Sequence, residues 1–294
     1  MKRLEVRLKT AAKENKTPQF IVEKDYALSY ILAGLYSHEE LRDALVFKGG
    51  TALKMIYFGD YRFSEDLDFS RAPSLELLDL EDAIEESILL SQKLLSKFGP
   101  FSITAERYTQ KKPHPDNQEA FIVRIQFPWH RRGYSCPIKI EITPDELIVF
   151  DSARLPILHE YQEGNIDAGV LTYSLSEIVL EKMRSLLQTQ KRLMERGWHR
   201  PRARDYYDLW RILRDYNNEL PGIDLTGFLR NKCVIRNVDF NEIGDFFTDE
   251  LLIEARANRE TNLRVFVPGY LPPCDTVIDE QKSIIPKYFL ELSI

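Results

Sequence analysis

The chain has 294 residues, 44% hydrophobic and 29% charged, which gives one large or two ordinary folded domains and excludes global disorder. Its 40 Lys and Arg against 46 Asp and Glu leave a net charge of -6, which argues against a protein coated in positive charge to grip nucleic acid. No run of 18 apolar residues is present, so no membrane-spanning helix is expected.

In chain order, the basic start MKRLEVRLKTAAKENK lacks the apolar stretch of a signal peptide. Thr17-Pro18 reads as a helix start, and the apolar spacing of Ile21, Val22, Leu28, Ile31, Leu32 and Leu35 continues it as a helix. Ala44 to Phe47 reads as a buried strand entering a tight turn at Lys48-Gly49-Gly50, followed by a helix over Thr51 to Tyr57 that Gly59 breaks. Phe63 to Phe69 is a second strand. Leu75 to Phe98 is a long amphipathic helix ending at Gly99-Pro100. Phe121 to Phe127 and Pro137 to Ile142 are strands joined by the basic loop His130-Arg131-Arg132-Gly133, and Leu147 to Phe150 has the composition of another short strand. Beyond about residue 170 the pattern turns helical, over Ser174 to Met194, Ala203 to Tyr216, Asp224 to Lys232 and Asp239 to Asn258. These elements predict an α/β (α+β) chain, with a mixed domain over residues 1–168 and a mostly helical one over 169–294.

Metal chemistry built on Cys or His is not expected. Cys136, Cys233 and Cys274 form no CxxC pair, and the five histidines form no HxxxH or HExxH pair. The informative segment is FKGGTALKMIYFGDYRFSEDLDFS, residues 47–70. Strand alternation puts Asp66 and Asp68 on one face, with Leu67 and Phe69 on the other. Two adjacent acids repel each other, and a divalent cation relieves that cost; two cations about 3.5–4 Å apart can clamp the oxygens of a phosphoryl displacement. The alternative is a solvated strand end. Upstream, Gly49-Gly50-Thr51 lies between a strand and a helix, where backbone N–H groups can meet a phosphate; the alternative is an ordinary tight turn. Glu141, on the polar side of Ile138-Lys139-Ile140-Glu141-Ile142, is a candidate third carboxylate or a half-exposed strand residue.

The blocks Val22-Glu23-Lys24-Asp25-Tyr26, FKGGTALK (47–54), RFSEDLDF (62–69), SEIVLEKMRSLL (176–187) and RDYYDL (204–209) together resemble the AbiEii/AbiGii toxin family. These are nucleotidyltransferase toxins of bacterial abortive-infection and toxin–antitoxin systems, in the DNA polymerase β-like superfamily. The resemblance implies a nucleotidyltransferase-fold mixed sheet flanked by helices, then a helical C-terminal domain. It implies that Gly49, Gly50 and Thr51 hold a nucleoside triphosphate, that Asp66 and Asp68 bind Mg²⁺ (or Mn²⁺), and that Ser64 lies near the metal. It points to Lys182 for the triphosphate and to Asp205 as completing the site, with Asp208 as a helix brace. The implied activity is transfer of NMP from NTP to an RNA acceptor, the tRNA 3′ end, with a cognate antitoxin as partner and a cytoplasmic location. A nucleotidyltransferase acting on a small molecule or a protein hydroxyl, or a non-catalytic scaffold, are the alternatives. Lys24 and Asp25 are expected to form an ion pair behind the site.

The net charge hides a local excess. Between Glu181 and Arg214, ten basic residues face four acidic ones, a local +6 against -12 for the remainder. Trp198, Tyr206, Tyr207 and Trp210 are interleaved with them, a composition that suits an RNA backbone and unstacked bases; the alternative is a charged helix face with Trp210 in the core. The loop His130 to Gly133, with Lys111 and Lys112, would extend this positive surface.

Overall fold

The computed structural model describes residues 3–72, 79–109, 117–144, 146–161, 166–197, 201–220, 222 and 224–290. It comprises two compact units, one of Met1–Glu146 and Ser152–Tyr173, the other of Leu147–Asp151 and Ser174–Ile294.

The first unit begins with helices α1 (Leu4–Glu14), α2 (Gln19–Ser37) and the single turn α3 (Leu41–Ala44). Pro18 occupies the N-cap of α2, and the Thr17 hydroxyl bonds back to the Asn15 carbonyl instead of capping the helix. Strand β1 (Leu45–Lys48) runs into the turn α4 (Gly49–Ala52), which widens into a π-turn over Leu53–Tyr57. Then come β2 (Asp66–Arg71), α5 (Leu80–Leu95), β3 (Ser102–Arg107), β4 (Glu119–Gln126), β5 (Cys136–Thr143), β6 (Ala153–Pro156) and β7 (Gly169–Thr172). The strands form one sheet in the order β3-β4-β5-β2-β1-β7-β6. β2 runs parallel to β5 and antiparallel to β1, so the sheet is mixed. α2 is predominantly apolar and is buried from Ile21 to Tyr36 except at Lys24, as expected of a helix covered on most sides, with Glu23, Asp25 and Ser29 buried among its apolar residues. Phe47 and Phe69 face it from the sheet, with ring centroids 5.3 Å apart, and Tyr36 stands 6.4 Å from Phe69.

The second unit is helical: α6 (Leu175–Arg196), α7 (Ala203–Asp215), α8 (Thr226–Ile235), α9 (Asp249–Ala257), the turn α10 (Arg259–Asn262) and α11 (Cys274–Ile284). Ser174 caps α6 by accepting from Glu177 N–H at 3.3 Å, and Gly197, at φ 72°, ends it in the left-handed conformation. The expected mixed sheet with flanking helices, followed by a helical region, is the observed class.

Several elements differ from expectation. Phe63 to Glu65 are irregular, and β2 starts at Asp66. Leu147 to Phe150 form no strand; their backbone bonds to side chains of the second unit instead. β3, β6, β7 and α1 are elements beyond those expected from the sequence. The helix expected over Leu75 to Phe98 is described from Asp79, whose carboxylate caps it by accepting from Glu81 and Asp82 N–H; residues 75–78 lie outside the described residues.

Candidate active site

Register builds one polar face. Asp68 lies opposite Lys48 of β1 and opposite Glu141 of β5, and Asp66 lies opposite Lys139. Side chains of paired residues share a face. Lys48, Asp66, Asp68, Lys139 and Glu141 therefore stand together on the side opposite the Leu67 and Phe69 core. Burial pushes the Asp66 carboxyl above its usual range; Lys24 and Lys139 pull it down, while Glu65 and Glu141 push it further up. Among the described residues the Asp66 carboxylate accepts no hydrogen bond and no ion pair, so its charge lacks a direct partner. Glu141 is paired with Lys139, whose Nζ also lies 5.5 Å from the Tyr108 ring centroid. Lys48 pairs with Glu146 at 3.0 Å.

The glycine turn fits against this face. Gly49 has φ +80°, and a Cβ there would lie 2.6 Å from Asp68 Oδ2. A side chain at this position would be strained and would press on the carboxylate. A Cβ on Gly50 would come within 2.2 Å of Arg62 Nη2. Arg62 is buried, donates from Nη1 to the Phe63 carbonyl at 3.1 Å, and brings a guanidinium against the turn. The sequence reading assigned Arg62 no role. The available signal was its place at the head of RFSEDLDF, since an arginine leading two carboxylates needs a reason to be there. Thr51 is buried, and its hydroxyl reaches the Asp66 carbonyl and the Ser64 hydroxyl, the latter at 2.7 Å. Thr51 and Ser64 thus tie the start of β2 to the glycine turn. Gly49, Gly50, Thr51, Ser64, Asp66, Asp68 and Glu141 are brought together within the first unit.

Lys24 and Asp25 do not pair with each other. They are adjacent on α2 and point apart: Lys24 lies 3.6 Å from Glu65, while Asp25 accepts from the Tyr161 hydroxyl at 2.8 Å. Burial raises the Asp25 carboxyl, opposed by Lys54, Tyr161 and His159.

Lys182 and Asp205 belong to the second unit. Lys182 Nζ is 2.9 Å from Asp205 and 2.6 Å from the fully buried Asp208, and Arg202 is 3.0 Å from Asp205. Asp208 is therefore an ion-pair partner of Lys182. The aromatic residues expected to stack on bases are instead core. Tyr206, Tyr207 and Trp210 are buried, because α7 turns its apolar face inward, and Asp208 is buried with them. The basic residues of α6 and α7 are largely spoken for. Arg211 and Arg214 pair with Asp215, Arg184 with Glu181, and Arg204 donates to the Asn262 carbonyl and stacks 4.1 Å from Phe266. Trp198, Arg200, Lys111 and Lys112 lie outside the described residues.

Chemically, the first unit offers hard oxygen donors beside a turn that admits close approach, which suits a cation and a phosphate. Among the described residues no three His, Cys, Asp or Glu side chains converge into a closed metal cluster. Also among them, no helix is long and apolar enough to cross a membrane.

Residues 30–280 match the model of the family described as "Nucleotidyl transferase AbiEii toxin, Type IV TA system". Among solved structures, JHP933 from Helicobacter pylori is similar with a TM-score of 0.57 at 17% identity, covering 94% of this chain and 95% of that one. A second Helicobacter pylori protein, provisionally described as a nucleotidyltransferase, gives a TM-score of 0.52 at 17% identity, over 92% of this chain and 96% of its own. At that identity the likeness establishes the fold. No curated protein matches the chain in sequence.

Proposed function

The chain belongs to the AbiEii nucleotidyl transferase toxin family of type IV toxin–antitoxin systems, and from that premise we propose that it transfers a nucleoside monophosphate from an NTP–Mg²⁺ complex to the 3′ hydroxyl of tRNA. The observation that carries the reading is the joint placement of Asp66, Asp68 and Glu141 on one sheet face beside Gly49.

The residues fit a magnesium ion. Asp66 has no direct partner among the described residues, Asp68 borders the turn, and both supply the hard oxygen that Mg²⁺ selects. Two protein carboxylates suffice for an ion that keeps water and substrate phosphates in its shell. Asp66 and Asp68 would hold it; its contribution is to neutralise charge developing on the transferred phosphoryl group. Gly49 and Gly50 leave room for the triphosphate, and Arg62, set against the turn, is the proposed cation that balances its charge. Glu141 orients the acceptor hydroxyl and takes its proton. The hydroxyl oxygen bonds to the α-phosphorus, the bond to the β-phosphate breaks, and pyrophosphate leaves. Catalysis on this reading is positioning and charge stabilisation. Family membership also carries a cognate antitoxin into the proposal.

A small-molecule or protein hydroxyl as acceptor is the second reading. The internal pairing of Arg184, Arg202, Arg211 and Arg214 favours it, because it removes much of the basic surface an RNA would use.

The test is label transfer from each of the four α-labelled NTPs to purified tRNA, with Mg²⁺ present or chelated. Asp66→Asn and Asp68→Asn should each lower transfer at least about a hundredfold while circular dichroism is unchanged. Full transfer by a folded Asp68→Asn variant would sink the mechanism. Label on a small molecule or on protein, with none on tRNA, would install the second reading.

A further inference from the structure

The hairpin between β4 and β5 carries Arg131, Arg132 and Tyr134, all exposed, with Tyr134 at 55%. Among the described residues neither guanidinium has an ion-pair or hydrogen-bond partner. Lys24, Lys48, Lys139 and Lys182 are by contrast all set against carboxylates. Two unpaired arginines side by side in an acidic protein leave a local positive field open to solvent.

The base of this hairpin is built rigidly. Glu23 of α2, 3% exposed, accepts from Trp129 Nε1 at 2.8 Å and sits 3.0 Å from His130 Nε2. Phe127 packs at 5.3 Å from Phe101 and 5.1 Å from Trp129. Burying a carboxylate is costly, and here that carboxylate holds the two residues that immediately precede the arginines. The tip is therefore presented on a fixed base.

The tip also stands at the relevant end of the sheet. Lys24, next to Glu23, faces Glu65, which precedes Asp66. Lys139 is the register partner of Asp66, and Tyr134 lies just ahead of it in the chain. At about 3.3 Å per residue, Tyr134 is at most roughly 16 Å, and Arg131 at most roughly 26 Å, from the register position of Asp66 along the strand direction.

We propose that the β4–β5 hairpin is the acceptor arm of the enzyme, with Arg131 and Arg132 gripping phosphates of a single-stranded RNA end and Tyr134 stacking on one of its bases. This rests on the RNA-acceptor reading above. Guanidinium groups meet phosphate in a planar, bidentate way, and an exposed ring on a fixed base is a stacking platform for an unpaired base. An acidic protein surface would answer the two charges but leave the ring unused.

The experiment uses the full chain, a fluorescein-labelled tRNA transcript ending in CCA, and two readouts, anisotropy binding and NMP transfer at saturating NTP. Arg131→Gln/Arg132→Gln should raise both the Kd and the KM for tRNA about tenfold, with the effect falling on these rather than on kcat. It should also flatten the slope of log K against log salt by about 1.4. Tyr134→Ala should weaken binding with no change of slope, and Tyr134→Phe should restore it. Unchanged Kd and slope in the double arginine variant would overturn the arm, including the case in which that variant loses an acidic protein partner yet keeps tRNA. The two readings fail separately. Tight, arginine-dependent binding without transfer removes the tRNA acceptor and retains the arm as an RNA surface. Transfer that ignores the hairpin removes the arm alone. Absence of any tRNA binding by the unmodified chain overturns the arm.

Discussion

At Asp205 burial and charge pull in opposite directions. Burial alone would raise this carboxyl, but Lys182 and Arg202 outweigh it and hold the group well below the ordinary carboxylate range. Because the folded value lies below the unfolded one, ionised Asp205 stabilises the fold at every pH above about 4, and that contribution drains away as pH falls further. Asp205→Asn should therefore cost about 3 kcal/mol at pH 7, the penalty for leaving buried cations short of a partner. Chemical denaturation across pH should show a constant gap between the two proteins above about pH 5 that narrows toward pH 3. A gap independent of pH would mean that the carboxylate charge is not what holds this cluster. The same residue shows what the sequence could convey. Lys182 and Asp205 were legible as motif members, whereas the pairing of Lys182 with Asp205 and with Asp208 depends on two helices meeting more than 20 residues apart in the chain.

Elements with strong patterning were read correctly, and the others failed for local reasons. β4 and β5 alternate buried and less buried positions, and the expected strands coincide with them to within two residues at each end. β3, β6 and β7 lie at or beside the sheet edges, are short or largely exposed, and carry little apolar alternation. Leu147 to Phe150 erred the other way. The run has strand composition, but Val149 and Phe150 N–H donate to Glu177 Oε2 at 2.9 Å each, and the Leu147 carbonyl accepts from Lys232 at 2.5 Å. Side chains here replace a neighbouring strand, and no local pattern announces that. Lys232 is the centre of this clasp, 2.6 Å from both Glu177 and Glu181, with almost no exposure. Burial works against its charge, and the two glutamates more than restore it. Lys232→Met keeps the volume but strands two buried carboxylates, so it should cost about 3–5 kcal/mol in thermal or urea unfolding. Adding Glu177→Gln should recover part of that loss, because one stranded charge is then removed. A Lys232→Met protein as stable as the parent would show that the clasp is ornamental to folding.

For the whole molecule, the informative quantity is how many of its cations are available. The formal charge of -6 conceals a +6 stretch between Glu181 and Arg214, which pointed to a broad basic face for RNA. In the folded second unit that face is mostly discharged, since Lys182, Arg184, Arg202, Arg211 and Arg214 all sit in ion pairs and Tyr206, Tyr207 and Trp210 are core. Sequence counts charges, and pairing is a property of the fold, so this correction could come only from structure. It has a measurable consequence. Each phosphate neutralised on a single strand contributes about -0.7 to the slope of log K against log salt. Ten available cations would give a slope near -7, whereas the hairpin arginines with one further contact give about -2. Titration of labelled tRNA between 50 and about 300 mM salt should return the shallower value. A slope steeper than about -5 would mean that the ion pairs of the second unit open to receive the RNA, and would move the acceptor surface from the β4–β5 hairpin back to α6 and α7.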